Sequence, residues 1–559
     1  MQQDEPEPQQ QAQPRAIRIP RWAARTIWPN HLWEVRSLRT RAQKRNHITN
    51  KLDDNGYDWL VVLVAGSGFF TDSFNLFSVN VTLPILAHLY WQNDTSERTE
   101  TLIDCLTLAG SMVGQVLFGI LADVRGRQRL YGVELVVVLV ATVGIVESGQ
   151  GIDKWMSIQA QICFWRFVMG IGIGAEYPLS AVITAEWAAT DSRARMLASV
   201  FFAQPLGQMF AALVGLSAIL GHGDSSNASL DKVWRIVSSV GGIPAIIAIV
   251  FRFTITDPGR WTLDVRDDGI QALLDTNKHV RSSASSSQEV PPLPEQFTRR
   301  GLWNYFIVEG NWRYLMGTSI CWFLLDVTFF GLGMNNPKTL ASIWESNIDS
   351  SNIRSLLISN VKQSLITVSI GSILGTLALI VVINKISRRK LLIYSFLALA
   401  GLFCLTGTSF EAARHHPAHI LTIVLCGICE FVFNFGPNTL TFIIPAEIFP
   451  TRYRGTRHGI AAASGKLGSI VIQLVLFGAQ HWIIGENKRG LGYLLFVFAA
   501  IMASGALFAW AWLPEIQSET KDENDRRVLK PRKLEELAEG LSSARRRGEV
   551  IRMRRIIGR

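Results

Sequence analysis

Asp326 stands four residues after Trp322 inside one apolar run, and Asn438 four after Asn434 inside another, so each pair shares one face of its helix. Asp72, Glu134, Glu176 and Glu430 are acids in similarly greasy surroundings, and Lys466 is the one lysine in a run expected to face the middle of a membrane. An ionisable group in such a run faces a cavity or a partner rather than lipid. Acids, amides and one ammonium suit proton carriage and the binding of a polar solute. No nucleophile with its base and no metal-ligand cluster accompanies them, so neither an enzyme nor a cofactor or metal site is expected.

The surroundings are those of a membrane protein. Of 559 residues, 48% are hydrophobic and 18% charged, where soluble domains carry roughly 25% charged residues. Apolar runs long enough to cross ~30 Å of hydrocarbon fall near 58–91, 101–122, 130–148, 158–186, 197–221, 236–255, 313–336, 360–383, 391–410, 418–446, 457–482 and 491–514. The expected fold is all-α and polytopic, with twelve transmembrane helices in two six-helix halves.

The net charge of +10 does not call for nucleic acid as a partner. Its basic residues gather in the short loops after runs two, four, eight and ten, as the positive-inside bias requires. Those loops carry Arg125, Arg127 and Arg129, then Arg193 and Arg195, then Arg388, Arg389 and Lys390, then Arg452, Arg454 and Arg457. Both termini are thereby expected in the cytoplasm and the bilayer is the chain's main partner. The sequons at Asn93 and Asn227 fall on the other side, and the six cysteines, all inside apolar runs, read as small hydrophobes. The expected plan is a basic, partly disordered cytoplasmic tail over 1–57, a six-helix half over 58–255, a Ser- and Pro-rich cytoplasmic linker over 256–312, a second half over 313–514, and a charged cytoplasmic tail over 515–559 with a helical stretch near 531–545.

The halves echo one another. "ITAEWAATDSRAR" after run four matches "IPAEIFPTRYRGT" after run ten, and "GILADVRGRQRL" after run two has a degraded partner, "VINKISRRKLL", after run eight. Arginines beyond a helix C-terminus meet its negative dipole end and can pair with Glu186 or Glu447. Asp123, Arg125, Arg127, Glu186, Glu447 and Arg452 are accordingly expected to form a cytoplasmic gate rather than to touch substrate. Gly170, Gly172 and Gly174 lie in a transmembrane run with no strand before them, and read as close helix packing rather than a nucleotide loop.

These repeats, with "RxxxGxGxG" at Arg166 to Gly174, resemble the major facilitator superfamily. Within it, "GAEYPLS", "FAQPLGQ", "CWFLLDVTFFGLGMN", "FNFGPNTLTFIIPAEIFPTRYRGT" and "SGKLG" resemble the proton-coupled inorganic phosphate symporters of fungi and plants, over about residues 58–514. The resemblance implies a plasma-membrane transporter working by alternating access. It also implies a phosphate site assembled from Tyr177, Gln204, Trp322, Asp326, Asn438 and Lys466, which together offer the donors and the cation that phosphate needs. Asp326 is the expected main proton carrier, because an ionised carboxylate beside phosphate would repel it; Glu176, Asp72 and Glu134 are further candidates for proton coupling.

Three positions depart from the family pattern. Asn75 stands where the first helix has a second acid, Glu176 where an Asp precedes the Tyr, and Phe330 where a Tyr lies one turn beyond Asp326. A missing donor to a buried anion costs on the order of 1–3 kcal/mol. An organic phosphate ester or another small solute therefore stays open as substrate, as does a nutrient receptor that binds without transport.

Overall fold

The computed structural model describes residues 41–534 apart from 92–95, 151–155, 223–225, 253–258, 265–271, 273–275, 277–302, 309, 333–352, 414–419, 480–488 and 522–526. Among the described residues, eleven helices are long and apolar enough to cross a membrane, and a shorter apolar helix stands between the second and third of them. In chain order these are α1 Trp59–Tyr90, α2 Glu97–Arg125, α3 Val133–Val146, α4 Ile158–Trp187, α5 Arg193–Gly221, α6 Asn227–Arg252, α7 Trp312–Gly331, α8 Ile353–Val382, α9 Arg388–Ala412, α10 Ile420–Ile448, α11 Arg454–Gly478 and α12 Gly490–Trp512. Leu63, Val140, Val250, Val381, Leu421, Leu474 and Leu507 all point outward and are exposed. That apolar outer surface suits lipid and would be a liability in water.

Two boundaries differ from the hydropathy reading for a physical reason. α6 begins at Asn227 because its first turns are amphipathic, and Asp231 there accepts from Tyr90 Oη at 2.6 Å and pairs with Arg235 at 3.0 Å. α8 begins at Ile353, where Arg354 and Lys362 dilute the apolar signal.

Several spans are interrupted near their middles, and the interruptions lie beside polar residues. α1 is broken at Ser78, α5 at Phe202 just before Gln204, and α10 at Gly436 just before Asn438, while α8 contains a wider π-helical turn over Leu365–Ser369. Broken helices free backbone groups that only a protein interior or a lined cavity can satisfy.

Glycines set the closest helix contacts, as their spacing suggested. A Cβ at Gly170 would run into Thr107 O, and one at Gly174 into Ser111 O, both on α2; one at Gly172 would meet Glu134 O of α3 at 2.8 Å.

Three segments outside the bundle dock on its arginine-rich end. Arg41–Asn55 is a helix within the expected tail, and its Asp53 Oδ1 accepts from Thr190 N at 2.7 Å in the α4–α5 turn. At the start of the expected linker, Arg260 donates to Glu186 O and Ala188 O, both at 3.1 Å, meeting the carboxyl end of α4 as a cation should. Past α12 the chain forms an antiparallel hairpin, β1 Gln517–Lys521 with β2 Arg527–Pro531, where the sequence reading had a charged tail and, from 531, a helix. Most of that expected helix, residues 1–40, Asn93 and most of the linker lie outside the described residues.

Candidate functional site

α7 and α11 pack closely enough for their polar residues to meet. A Cβ at Gly465 would strike the Trp322 ring and lie 3.0 Å from Asp326 Oδ2, so glycine at this position lets α11 lie against that face of α7. Lys466 Nζ donates to Asp326 Oδ2 at 3.1 Å, and Ser469 Oγ donates to the same oxygen at 3.1 Å. Both charged side chains are buried. The ammonium also lies 4.7 Å from the centre of the Phe330 ring and 5.5 Å from that of Tyr177, within cation–π range of both. Trp322 sits against Tyr177 at 6.4 Å and edge-on to His458 at 5.6 Å. Tyr177, Phe330 and Asp326 are therefore gathered around the Lys466 ammonium, with Trp322 packed behind Tyr177.

Next to this group a cavity is lined by Phe69, Asp72, Ser73, Leu76, Ile173, Tyr177 and Gln204. Gln204 Oε1 and both carboxylate oxygens of Asp72 have no hydrogen-bond partner there. A second cavity, sharing Leu76, continues away from the arginine-rich end past Asn80, Asp104, Arg166, Phe330 and Gln473. Asn438 has a different immediate neighbour: its Nδ2 donates to Asn434 Oδ1 at 3.0 Å, and Asn434 in turn donates to Ser372 Oγ, which donates to Glu430. This chain of amides and hydroxyls links the Asn438 end of the site to Glu430.

Glu134 and Glu176 lie apart from the Lys466 group and share one cation instead. Arg252 donates to Glu176 Oε2 at 2.6 Å, forms an ion pair with Glu134, and lies 3.9 Å over the Tyr131 ring. Both oxygens of Glu134 also accept from Gly132 N at the head of α3. Asn75 donates to Thr71 O and to Gly241 O, where α6 is interrupted between Asn227–Val240 and Gly242–Arg252. It has become a helix-to-helix fastening.

At the arginine-rich end the halves are latched. Asp123 accepts from Gly455 N, Thr456 N and Thr456 Oγ1 at 3.1, 2.7 and 2.8 Å, so a carboxylate of α2 holds the start of α11. Arg127 lies 3.2 Å from Asp123 and 3.0 Å from Glu186, and donates to Thr451 O across the divide at 2.8 Å. Arg454 of the second half reaches Glu186 of the first at 3.1 Å, and Arg193 of the first reaches Glu447 of the second at 2.9 Å, with Arg388 3.3 Å from the same carboxylate. Of the expected gate, Asp123, Arg127, Glu186 and Glu447 are brought together. Arg125 is exposed outside the cluster, and Arg452 is buried in the loop that carries Thr451. The arginines pair with Glu186 and Glu447, and each glutamate takes one partner from its own half and one from the other. Arg193 and Arg454 each stand seven residues after their own glutamate, so the two halves supply equivalent arginines. Arg252 was missed, although an arginine inside an apolar run is a signal in itself.

Comparison with known proteins agrees with this architecture. The chain is 32% identical over 531 residues to the inorganic phosphate transporter PHO84 of Saccharomyces cerevisiae, covering 88% of this chain and 89% of that one. It is 33% identical over 519 residues to a repressible high-affinity phosphate permease of Neurospora crassa, covering 86% and 89%. Among solved structures, the major facilitator superfamily proton:xylose symporter XylE bound to 6-bromo-6-deoxy-D-glucose superposes with a TM-score of 0.65 at 19% identity, over 82% of this chain and 96% of that one, a likeness of fold. The family described as Sugar (and other) transporter matches residues 60–527, and this multi-pass membrane protein of the major facilitator fold belongs to that family of transporters.

Proposed function

We propose that the chain carries inorganic phosphate together with protons across the plasma membrane by alternating access, with the arginine-rich end and both termini in the cytoplasm. The observation that carries this reading is the buried Lys466–Asp326 pair at 3.1 Å, flanked by the rings of Tyr177 and Phe330. Without substrate the ammonium is neutralised by Asp326. A proton on Asp326 cancels that pairing and frees Lys466 to take the anion, while Tyr177, Trp322, Gln204 and Asn438 offer further donors. Proton and phosphate then depend on each other, as symport requires. The phosphate specificity of relatives about a third identical over most of the chain supports the choice of anion.

The latch keeps one end shut while the cavity chain leads toward the other, the expected asymmetry of a transporter poised to receive solute from outside. Exposed Asn227 lies at that outer end, consistent with the orientation from charge. Uptake of radiolabelled phosphate by proteoliposomes under an imposed pH gradient tests the reading, and it fails if phosphate does not accumulate. A phosphate ester is the second reading, favoured by Phe330, whose apolar ring lines the outer cavity where a hydroxyl is usual. Competition by glycerophosphodiesters in the same assay separates the two.

A further inference from the structure

Three acids are buried among the described residues of the second half. Asp326 faces Lys466, and Glu447 faces Arg193 and Arg388, whereas Glu430 on α10 has no cation within ion-pair distance. Its carboxyl sits where α8 and α10 come close: a Cβ at Gly371 would lie 2.6 Å from Gly427 O and 3.0 Å from Glu430 Cβ. The π-helical turn Leu365–Ser369 of α8 ends just before Gly371 and Ser372, and Ser372 Oγ donates to Glu430 Oε2 at 2.9 Å. Glu430 Oε1 has no hydrogen-bond partner. The other titratable groups beside it are the thiols of Cys426 and Cys429 on its own helix, the latter against Thr406 of α9, so no charged group faces it from α8 or α9.

From Glu430 the polar contacts run toward the solute site. Asn434, one turn on, donates from Nδ2 to Ser372 Oγ and to Glu430 O, both at 3.0 Å, with Glu430 Oε2 at 3.5 Å; its Oδ1 accepts from Asn438 Nδ2 at 3.0 Å across the break at Gly436. We propose that Glu430 is a positioning residue for Asn438: through Ser372 and Asn434, an ionised Glu430 holds the Asn438 amide back from the anion, and a proton on Glu430 releases it. A carboxylate can only accept. The donors drawn to it polarise the Asn434 amide, which makes the Asn434 carbonyl a stronger acceptor for Asn438. With Glu430 neutral that pull is gone, and an anion outcompetes a neutral carbonyl for the Asn438 N–H. A charge buried there without a counter-ion is costly, and a proton removes the cost. The second half thereby holds, besides Asp326, another carboxyl whose proton uptake favours the anion, one that is not paired to Lys466.

The role of Asn438 as a donor to the anion belongs to the proposed function, on which this assignment rests, and the test keeps the two apart. Phosphate affinity is measured by calorimetry from mildly acidic to mildly alkaline pH; the anion's own ionisation is common to every variant. In Glu430→Gln the gain in affinity on acidification is expected to be roughly tenfold smaller than in wild type, the worth of one hydrogen bond to a charged group. Asn434→Leu, which keeps the acid and cuts the relay, should flatten the curve in the same way. Ser372→Ala should move the midpoint toward higher pH, because the charged form loses a donor, and it serves where Glu430→Gln does not fold. Affinity lowered equally at every pH in Glu430→Gln would mean a structural role and overturn the proposal. So would a curve as steep as wild type in Asn434→Leu, or an unmoved midpoint in Ser372→Ala. Infrared titration without phosphate is the independent readout: a carboxylic C=O component of wild type should be missing in Glu430→Gln. The side-chain carbonyl band of isotope-labelled asparagine should shift with the same pH step in wild type and not in that variant. If wild-type protein binds no phosphate, the substrate reading falls, and the infrared titration still decides: no missing component, or no coupled shift, overturns the role of Glu430.

Discussion

Arg193 and Arg454 occupy matching places in the two halves, and each reaches across to the other half's glutamate, Arg193 to Glu447 at 2.9 Å and Arg454 to Glu186 at 3.1 Å. All four side chains are fully buried. Such pairs are costly to break from one side, because the charge left behind stays desolvated.

Arg193→Gln is expected to weaken closure of the arginine-rich end. Glu447 keeps Arg388, so the loss should be on the order of 1.5–3 kcal/mol, the range for a hydrogen bond to a charged group. That suffices to shift a balanced two-state equilibrium tenfold or more. Spin-label distances between the α4–α5 and α10–α11 loops should lengthen in the variant, and Arg193→Gln combined with Glu447→Gln should recover part of the short-distance population. An unchanged distance distribution in the single variant would count against a latch.

Asp326→Asn should abolish proton-driven accumulation while the protein remains folded. The amide nearly matches the acid in shape and can still accept from Ser469 Oγ, but it cannot cycle a proton. Accumulation in proteoliposomes at the wild-type level would refute the assignment.

Lys466→Ala should weaken phosphate binding by at least about 1.5 kcal/mol, the lower end for hydrogen bonds to charged groups. It leaves Asp326 with Ser469 as its remaining hydrogen-bond donor. Calorimetric titration with phosphate checks the size. Unaltered affinity would make the lysine a structural counter-ion.

Phe330→Tyr tests substrate identity. Its ring lies 4.7 Å from Lys466 Nζ and also borders the outer cavity, so a hydroxyl added there points toward polar surroundings. If phosphate is the ligand, affinity should rise by about 1 kcal/mol, the net value of one hydrogen bond. No gain for phosphate together with a loss for glycerophosphodiesters would favour the ester.

What could be read in advance followed from regular spacing. The twelve apolar runs, the charge bias of their loops and the glycine contacts between α2 and α4 obey local rules of length and period, and so did the shared face of Trp322 and Asp326. Partner choice between distant helices does not. Nothing local says that Glu176 turns to Arg252 rather than to the central cavity, or that Asn75 fastens α1 to Gly241, because those contacts depend on how α6 packs against α4 and α1, 76 and 166 residues away in the chain. The hairpin escaped notice for a related reason. β1 and β2, QSETK and RVLKP, have no apolar alternation, and they are held by tertiary contacts rather than by strand propensity.

Those contacts give the hairpin region a mechanical role. Arg193 of the first half donates to Arg532 O just past β2, while Gln517 of β1 accepts from Arg388 N of the second half, and Glu515 just before it accepts from Ser387. The segment is thus strapped to both moving bodies at once. If this end opens by separating the two halves, these hydrogen bonds to Arg193 on one side and to Ser387 and Arg388 on the other cannot all be kept. The segment thereby ties the C-terminal end of the described chain to the same arginine-rich face that the inter-half ion pairs occupy.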